Sequence, residues 1–160
     1  MSQKTFSTLL KIVIVGAALC IAFVYAWVIP ELGVPLAEAG DGEFAHLYTP
    51  WLVAIELTAL PIIAALVLAW LIARNIGLDR SFSRQNAKLL GVIAILAAAD
   101  SAYFFIANAV MLLLNMSHPG IMIFSLIACF AGVAVCVAAA GLSHLVLKAA
   151  KLQEQSDLTI

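Results

Sequence analysis

The chain has 160 residues, of which 65% are hydrophobic and 11% are charged, and its formal net charge is −1 at pH 7. A soluble domain of this length could not remove so much apolar surface from water, so the composition excludes an ordinary soluble fold. Because positive charge is not in excess, we expect no direct binding to nucleic acid.

Four apolar segments follow one another along the chain, and each is long enough to cross a lipid bilayer as a helix. Backbone polar groups in hydrocarbon must be satisfied within the segment, so these runs can only form helices. The predicted fold is therefore an all-α, integral membrane four-helix bundle that forms a single domain. We predict helices at residues 12–29, 51–73, 89–114 and 120–147, an outer loop at 30–50, a cytoplasmic loop at 74–88 and a cytoplasmic tail at 148–160.

Basic residues are confined to one end of the predicted helices, whereas the connections after the first and third segments contain none. The full set is Lys4, Lys11, Arg74, Arg80, Arg84, Lys88, Lys148 and Lys151. Lys and Arg are retained on the cytoplasmic side of membrane proteins. We therefore predict a multi-pass protein of the cell (inner or plasma) membrane, with the N-terminus and the C-terminus both in the cytoplasm.

The fourth segment carries small residues at four-residue spacing: Ala128, Gly132, Cys136 and Ala140. Such a stripe lets another helix approach closely. We expect it to pack against the first or third segment of the same chain. The alternative is a dimer face, which would make the protein a homo-oligomer.

Polar residues inside apolar segments are costly in a bilayer and therefore indicate function. Glu56, Asp100, Asn108 and Tyr103 form this predicted intramembrane polar site. No Lys or Arg lies at their depth, so each acid must be protonated, hydrated, hydrogen-bonded to a neutral partner or bound to an external cation. Two hypotheses follow: a neutral carboxyl bonded across helices, or a proton, cation or ligand site open to the outside.

The chain lacks the residue sets that carry catalysis or hold a cofactor. It has no Ser-His-Asp order, HExxH, phosphate-binding loop or GxGxxG. Its three cysteines fall in apolar runs without metal-ligand spacing. We expect a protein that is not an enzyme and that needs neither metal nor cofactor.

Two short polar stretches lie on the predicted cytoplasmic side. The first reads Phe82-Ser83-Arg84-Gln85-Asn86, in which Ser83 is suited to cap the third helix. The second is the chain ending, Asp157-Leu158-Thr159-Ile160. The first stretch resembles the Phe-Ser/Thr-x-Glu-Asn signature of the bacterial DUF2975 membrane proteins, and the second resembles the Asp-Leu-Thr-Ile tail of that family. Gln85 departs from the usual Glu, which removes a negative charge from this stretch.

The resemblance implies a four-span protein of unknown function that is a partner of a small cytoplasmic Xre-type helix-turn-helix regulator. The residues compatible with docking such a regulator are Phe82, Ser83, Asn86, Asp157, Leu158 and Ile160. We therefore expect a non-enzymatic membrane sensor or anchor for that regulator. The alternative is a small ion-coupled transporter or membrane ligand-binding protein that uses Glu56 and Asp100.

Overall fold

The computed structural model of the protein describes residues 2–38, 45–114, 117 and 119–157. This part of the chain is helical apart from short turns. The elements are α1 (Gln3–Phe23), a π-helical segment (Val24–Val28), α2 (Ile29–Glu38), a 3₁₀ turn (Ala45–Leu47), α3 (Tyr48–Glu56), α4 (Ala59–Gly77), α5 (Arg84–Leu113) and α6 (Pro119–Asp157).

Four helical stretches are long and apolar enough to cross a membrane, which confirms the predicted all-α, four-span plan. The first span is Gln3–Pro35, the second Ala45–Gly77, the third Arg84–Leu113 and the fourth Gly120–Ser156. Because consecutive spans run in opposite directions, all eight Lys and Arg lie at the same end of the bundle. We call this end the basic end.

The helices are longer than the apolar segments that predicted them. At the basic end, α1 begins at Gln3, α5 begins at Arg84 and α6 continues to Asp157. The predicted tail at 148–160 is therefore helical over most of its length, and the predicted outer loop at 30–50 contains α2 and the start of α3. Hydropathy marks only the part of a helix that suits lipid, whereas caps and breaks decide where the helix ends.

Side-chain caps explain two of the helix starts. Ser2 accepts a hydrogen bond from the Thr5 amide at 3.2 Å and caps α1. Ser83 accepts one from the Asn86 amide at 3.2 Å and caps α5, as predicted. Each cap satisfies a backbone donor that the first helical turn leaves unpaired.

The first two spans are interrupted at prolines. The π-helical segment precedes Pro30, and the break at Leu57 and Thr58 precedes Pro61. Proline has no N–H to donate to the preceding turn, so the helix before it widens or ends. The third and fourth spans continue without a break through the described residues.

The helices pack in the order α1, α4, α5, α6, and the α5–α6 interface is the most extensive. Small buried residues (Ala87, Ala94, Ala139 and Ala150) allow α5 and α6 to approach closely. In the described part of the chain, α1 and α6 share no substantial interface. The four helices therefore leave an open space between α1 and α6 instead of closing into a solid bundle.

Candidate functional site: a cavity lined by all four spans

The space between the helices is an apolar cavity of about 1240 Å³. All four spans contribute to its wall, and most of the lining side chains are aliphatic or aromatic. Its polar or small lining residues include Tyr25, Thr58, Ala65, Asp100, Ser101, Cys129 and Gly132. The volume exceeds the roughly 300–1,000 Å³ of typical ligand pockets, so the cavity can admit a sizeable lipophilic molecule.

Asp100 brings a carboxyl group into this apolar wall from the middle of α5. Its Oδ1 atom is buried and has no hydrogen-bond partner within the part of the chain that the structure describes. A buried polar atom without a partner is costly, and it marks a place where a proton, water or ligand can bind.

The other residues of the predicted polar site lie elsewhere and do not bond to Asp100. Tyr103 donates to the Ala54 carbonyl at 3.1 Å and thereby joins the third span to the second. Asn108 donates to the Phe104 carbonyl of its own helix at 2.8 Å. Glu56 ends α3, next to the helix break, and does not line the cavity. The structure thus connects the cavity with Asp100 alone among these four residues.

Two cavity residues outside the predicted polar site hold the interrupted spans together. The hydroxyl groups of Tyr25 and Thr58 are 2.5 Å apart. Thr58 donates its own proton to the Ile55 carbonyl at 2.7 Å, so Tyr25 is the donor in this pair. The signal available in the sequence was a tyrosine in an apolar segment, together with the proline that follows Thr58.

The small-residue stripe of α6 lies only partly at the interface with α5. Gly132 and Cys136 are half-buried, whereas Ala128 and Ala140 are exposed. The predicted packing of the whole stripe against the first or third segment is therefore wrong at Ala140, which is exposed, and at Ala128, which faces the cavity between the spans. A strict four-residue repeat drifts around a helix of 3.6 residues per turn, so the buried face follows alternating steps of three and four instead. That face comprises Ser125, Cys129, Gly132, Cys136, Ala139 and Ser143.

Gly132 of α6 packs closely against Ser101 of α5. A Cβ atom at this position would clash with the Ser101 hydroxyl. Ser143 reinforces the same interface by donating to the Ala87 carbonyl at 2.7 Å. The homo-oligomer hypothesis for this stripe remains a prediction.

Asn86, which was predicted to dock a regulator, has an internal structural role. Its side chain is 1% exposed, accepts a hydrogen bond from Asn75 at 2.7 Å, and donates to the carbonyls of Arg80 and Ser81, each at 3.0 Å. Asn86 therefore cannot contact a partner in this structure, which corrects its prediction as a docking residue. The cause is the tight turn between the second and third spans, whose carbonyl groups need a donor.

The remaining docking residues divide into exposed, capping and undescribed positions. Phe82 is 59% exposed at the basic end, and Ser83 is engaged as the helix cap. Asp157 is the last residue of α6, while Leu158 and Ile160 lie outside the described residues.

An ion pair connects the first polar stretch, residues 82–86, to the end of α6. Arg84 donates from Nε and from one terminal nitrogen to the two carboxylate oxygens of Glu154, at 2.9 Å and 2.6 Å. This paired geometry fixes the orientation of both side chains. Ser81 also donates to the Gln3 side chain at 2.6 Å, which connects the turn before α5 to the start of the first span.

A profile described as "Protein of unknown function (DUF2975)" matches residues 36–160 of the chain. The chain belongs to the DUF2975 family. No match was found among curated proteins or among solved structures.

The region that matches DUF2975 contains the second, third and fourth spans, together with both polar stretches of the basic end. The first span, which supplies Tyr25 to the cavity, lies before the match. Within the described residues, no group of three or more His, Cys, Asp or Glu side chains is placed to hold a metal ion.

Proposed function

We propose that this DUF2975 protein is a non-enzymatic membrane sensor that binds a lipophilic molecule in its cavity. Occupancy is reported through the basic end to a small cytoplasmic helix-turn-helix regulator. The observation that carries the proposal is the apolar cavity of about 1240 Å³, to which all four spans contribute. A molecule that enters from the lipid phase would contact every span, and its binding would favour one arrangement of the helices over another.

The third and fourth spans provide a route from the cavity to the basic end. Asp100 and Gly132 line the cavity, while Arg84 and Glu154 pair near the far ends of the same two helices. Because α5 and α6 are continuous between these points, a shift of one helix against the other at the cavity would change the geometry of the ion pair. The distribution of Lys and Arg supports a cytoplasmic position for this end.

Ligand binding in the cavity can be measured by fluorescence. Trp51 lines the cavity, so a chain with Trp27→Phe and Trp70→Phe reports from this residue alone. In phosphatidylcholine nanodiscs, the neutral probe ω-bromododecanol should quench the fluorescence of Trp51, because bromine quenches at short range. The quenching should saturate, since the cavity holds a limited number of probe molecules. Quenching that rises only in proportion to the probe in the lipid would contradict a binding cavity.

A matched pair of double variants controls for partition into lipid. Ala128→Phe with Ala131→Phe fills the cavity wall of α6 and should remove the saturable quenching. Ala134→Phe with Ala138→Phe adds the same volume to exposed positions of α6 outside the lining and should leave it intact. Equal effects of the two pairs would contradict the assignment of the site.

The second half of the proposal concerns the Xre-type helix-turn-helix regulator that the family resemblance implies. The purified regulator should bind nanodiscs that contain the wild-type protein, and ω-bromododecanol should change that affinity in the wild-type protein but not in the cavity-filled variant. A regulator that binds neither the empty nor the probe-loaded protein would refute the signalling role while leaving ligand binding in place.

Asp100 also favours a second candidate function, that of an ion-coupled carrier. A mid-span carboxyl with an unpartnered Oδ1 atom could take up and release a proton during transport. Proton flux into vesicles that disappears in Asp100→Asn would favour this candidate over the sensor.

A further inference from the structure

Among the described residues that line the cavity, Asp100 is the only Asp, Glu, Lys, Arg or His. The rest of the wall consists of apolar side chains with a few hydroxyl and thiol groups. A single carboxylate in such a wall has little solvent to stabilise it, and its charge must be balanced by a proton or by a cation that enters the cavity.

No Lys or Arg of the chain is placed to supply that cation. All eight of its Lys and Arg lie at the basic end. Lys11, which comes furthest along the first span, has its ammonium group over the Trp70 ring at 5.5 Å and does not line the cavity. A ligand that brings its own positive charge would therefore find an acceptor without competing against an internal ion pair.

We propose that the molecule bound in the cavity is a lipophilic amine, with its ammonium group at Asp100 and its hydrocarbon chain along the apolar wall. This inference rests on the proposed function, because it names the chemical class of the ligand for the same cavity. An ammonium group in the cavity can donate hydrogen bonds to the Asp100 carboxylate, and such charge-assisted bonds are stronger than neutral ones.

Phe104 adds a second feature that suits a cation. It follows Asp100 by one helical turn on α5, and both side chains line the cavity. Residues four apart lie on the same face of a helix, and an aromatic face attracts a nearby ammonium group. The carboxyl and the ring are thus presented to the same part of the cavity.

The same wall disfavours ligands that carry a phosphate or carboxylate group. No Lys, Arg or His is found among the described residues that line the cavity, so an anionic group would be buried against them without a partner. The source of the ligand is therefore a free single-chain amphiphile and not a phospholipid of the surrounding bilayer.

The test compares two probes of equal chain length in the Trp51 fluorescence assay. Against the wild-type protein, ω-bromododecylamine should reach half-saturation at a concentration about tenfold or more below that of ω-bromododecanol, since bonds to charged groups contribute more than neutral ones. Asp100→Asn should remove this preference by weakening binding of the amine, so that the two probes reach half-saturation at similar concentrations. Glu56→Gln is the matched control, because it neutralises an acid of the second span that lies outside the lining.

Each outcome separates this inference from the proposed function. Saturable binding of both probes with equal affinity, or an amine preference that survives in Asp100→Asn, would overturn the amine assignment while the cavity remains a binding site. Saturable binding of neither probe would overturn both proposals. Asp100→Glu keeps the carboxyl and should keep the preference, so it tests the assignment if Asp100→Asn fails to fold.

A change of lipid tests the source of the ligand. Adding phosphatidylethanolamine to the nanodiscs introduces an amine that is attached to a phosphate. If this lipid displaced ω-bromododecylamine, the single-chain assignment would be wrong. Unchanged binding of the probe supports a free amphiphile.

Discussion

The Tyr25 hydroxyl donates to the Thr58 hydroxyl across 2.5 Å, and this bond joins the π-helical segment of the first span to the break in the second. Both interruptions therefore face each other at the cavity wall. Thr58 is 5% exposed, so its hydroxyl has little access to competing solvent. The bond thus connects the two interrupted spans at their interruptions.

The strength of this bond can be measured with a double-mutant cycle. Tyr25→Phe and Thr58→Val each remove one hydroxyl, and their coupling energy should be about 0.6 kcal/mol, within the range for hydrogen bonds between membrane helices. Unfolding by SDS titration in mixed micelles gives the required free energies. Thr49→Val, at an exposed position near the start of α3, should show no coupling to Tyr25→Phe. Coupling of the same size in that control cycle would contradict the specific role of Thr58.

Substitution of Gly132 should destabilise the packing of α5 against α6. Gly132→Ala places a Cβ against the Ser101 hydroxyl and should lower the free energy of unfolding by about 1–3 kcal/mol. Gly141→Ala is the control, because nothing lies within 4 Å of its added Cβ. The control should be neutral or should stabilise the protein by up to about 1 kcal/mol through helix propensity. If Gly132→Ala behaved like the control, the close approach at Ser101 would be absent.

Asn86 should prove to be a structural residue of the turn. Asn86→Ala leaves the carbonyls of Arg80 and Ser81 without their donor, and we expect a loss of about 1–3 kcal/mol in unfolding free energy. Hydrogen exchange should also rise in the turn between α4 and α5. Gln85→Ala changes the exposed neighbour in the same stretch and should cause neither effect. Equal hydrogen exchange of this turn in both variants would contradict the structural role of Asn86.

The ion pair of Arg84 and Glu154 should order the end of α6. Because both side chains are exposed, salt screens their attraction, and the pair should weaken as ionic strength rises. Arg84→Glu should increase hydrogen exchange over the last turns of α6. Adding the second substitution, Glu154→Arg, should restore the ion pair with reversed charges and lower hydrogen exchange again. Arg80→Gln removes another exposed charge at the basic end and serves as the control. Failure of the charge swap to restore protection would show that the pair does not order the helix.

The basic end should lie in the cytoplasm. A fluorescent protein that matures only in the cytoplasm should be bright when it is fused after Ile160, because Lys and Arg are retained on that side. Alkaline phosphatase at the same position should be inactive. The opposite pattern would invert the topology.

The number and the approximate positions of the spans follow from the sequence alone. The segments around Ile12, Trp51, Leu89 and Gly120 are apolar over enough residues that the bilayer decides their structure locally. The Ser83 cap was equally predictable, because its hydroxyl bonds an amide only three residues away. Such features depend on residues that are neighbours along the chain.

The tertiary structure alone decided which residues meet. Arg84 and Glu154 are 70 residues apart, and Tyr25 and Thr58 are 33 apart, so no local pattern relates them. Asn86 was predicted to lie at a surface, but the turn between α4 and α5 buries it. The cavity at Asp100 is formed by residues of all four spans. Hydropathy is summed along one segment, whereas contacts and cavities depend on how the faces of different helices are arranged. The lipid environment therefore determined the spans, and packing between the helices determined the site.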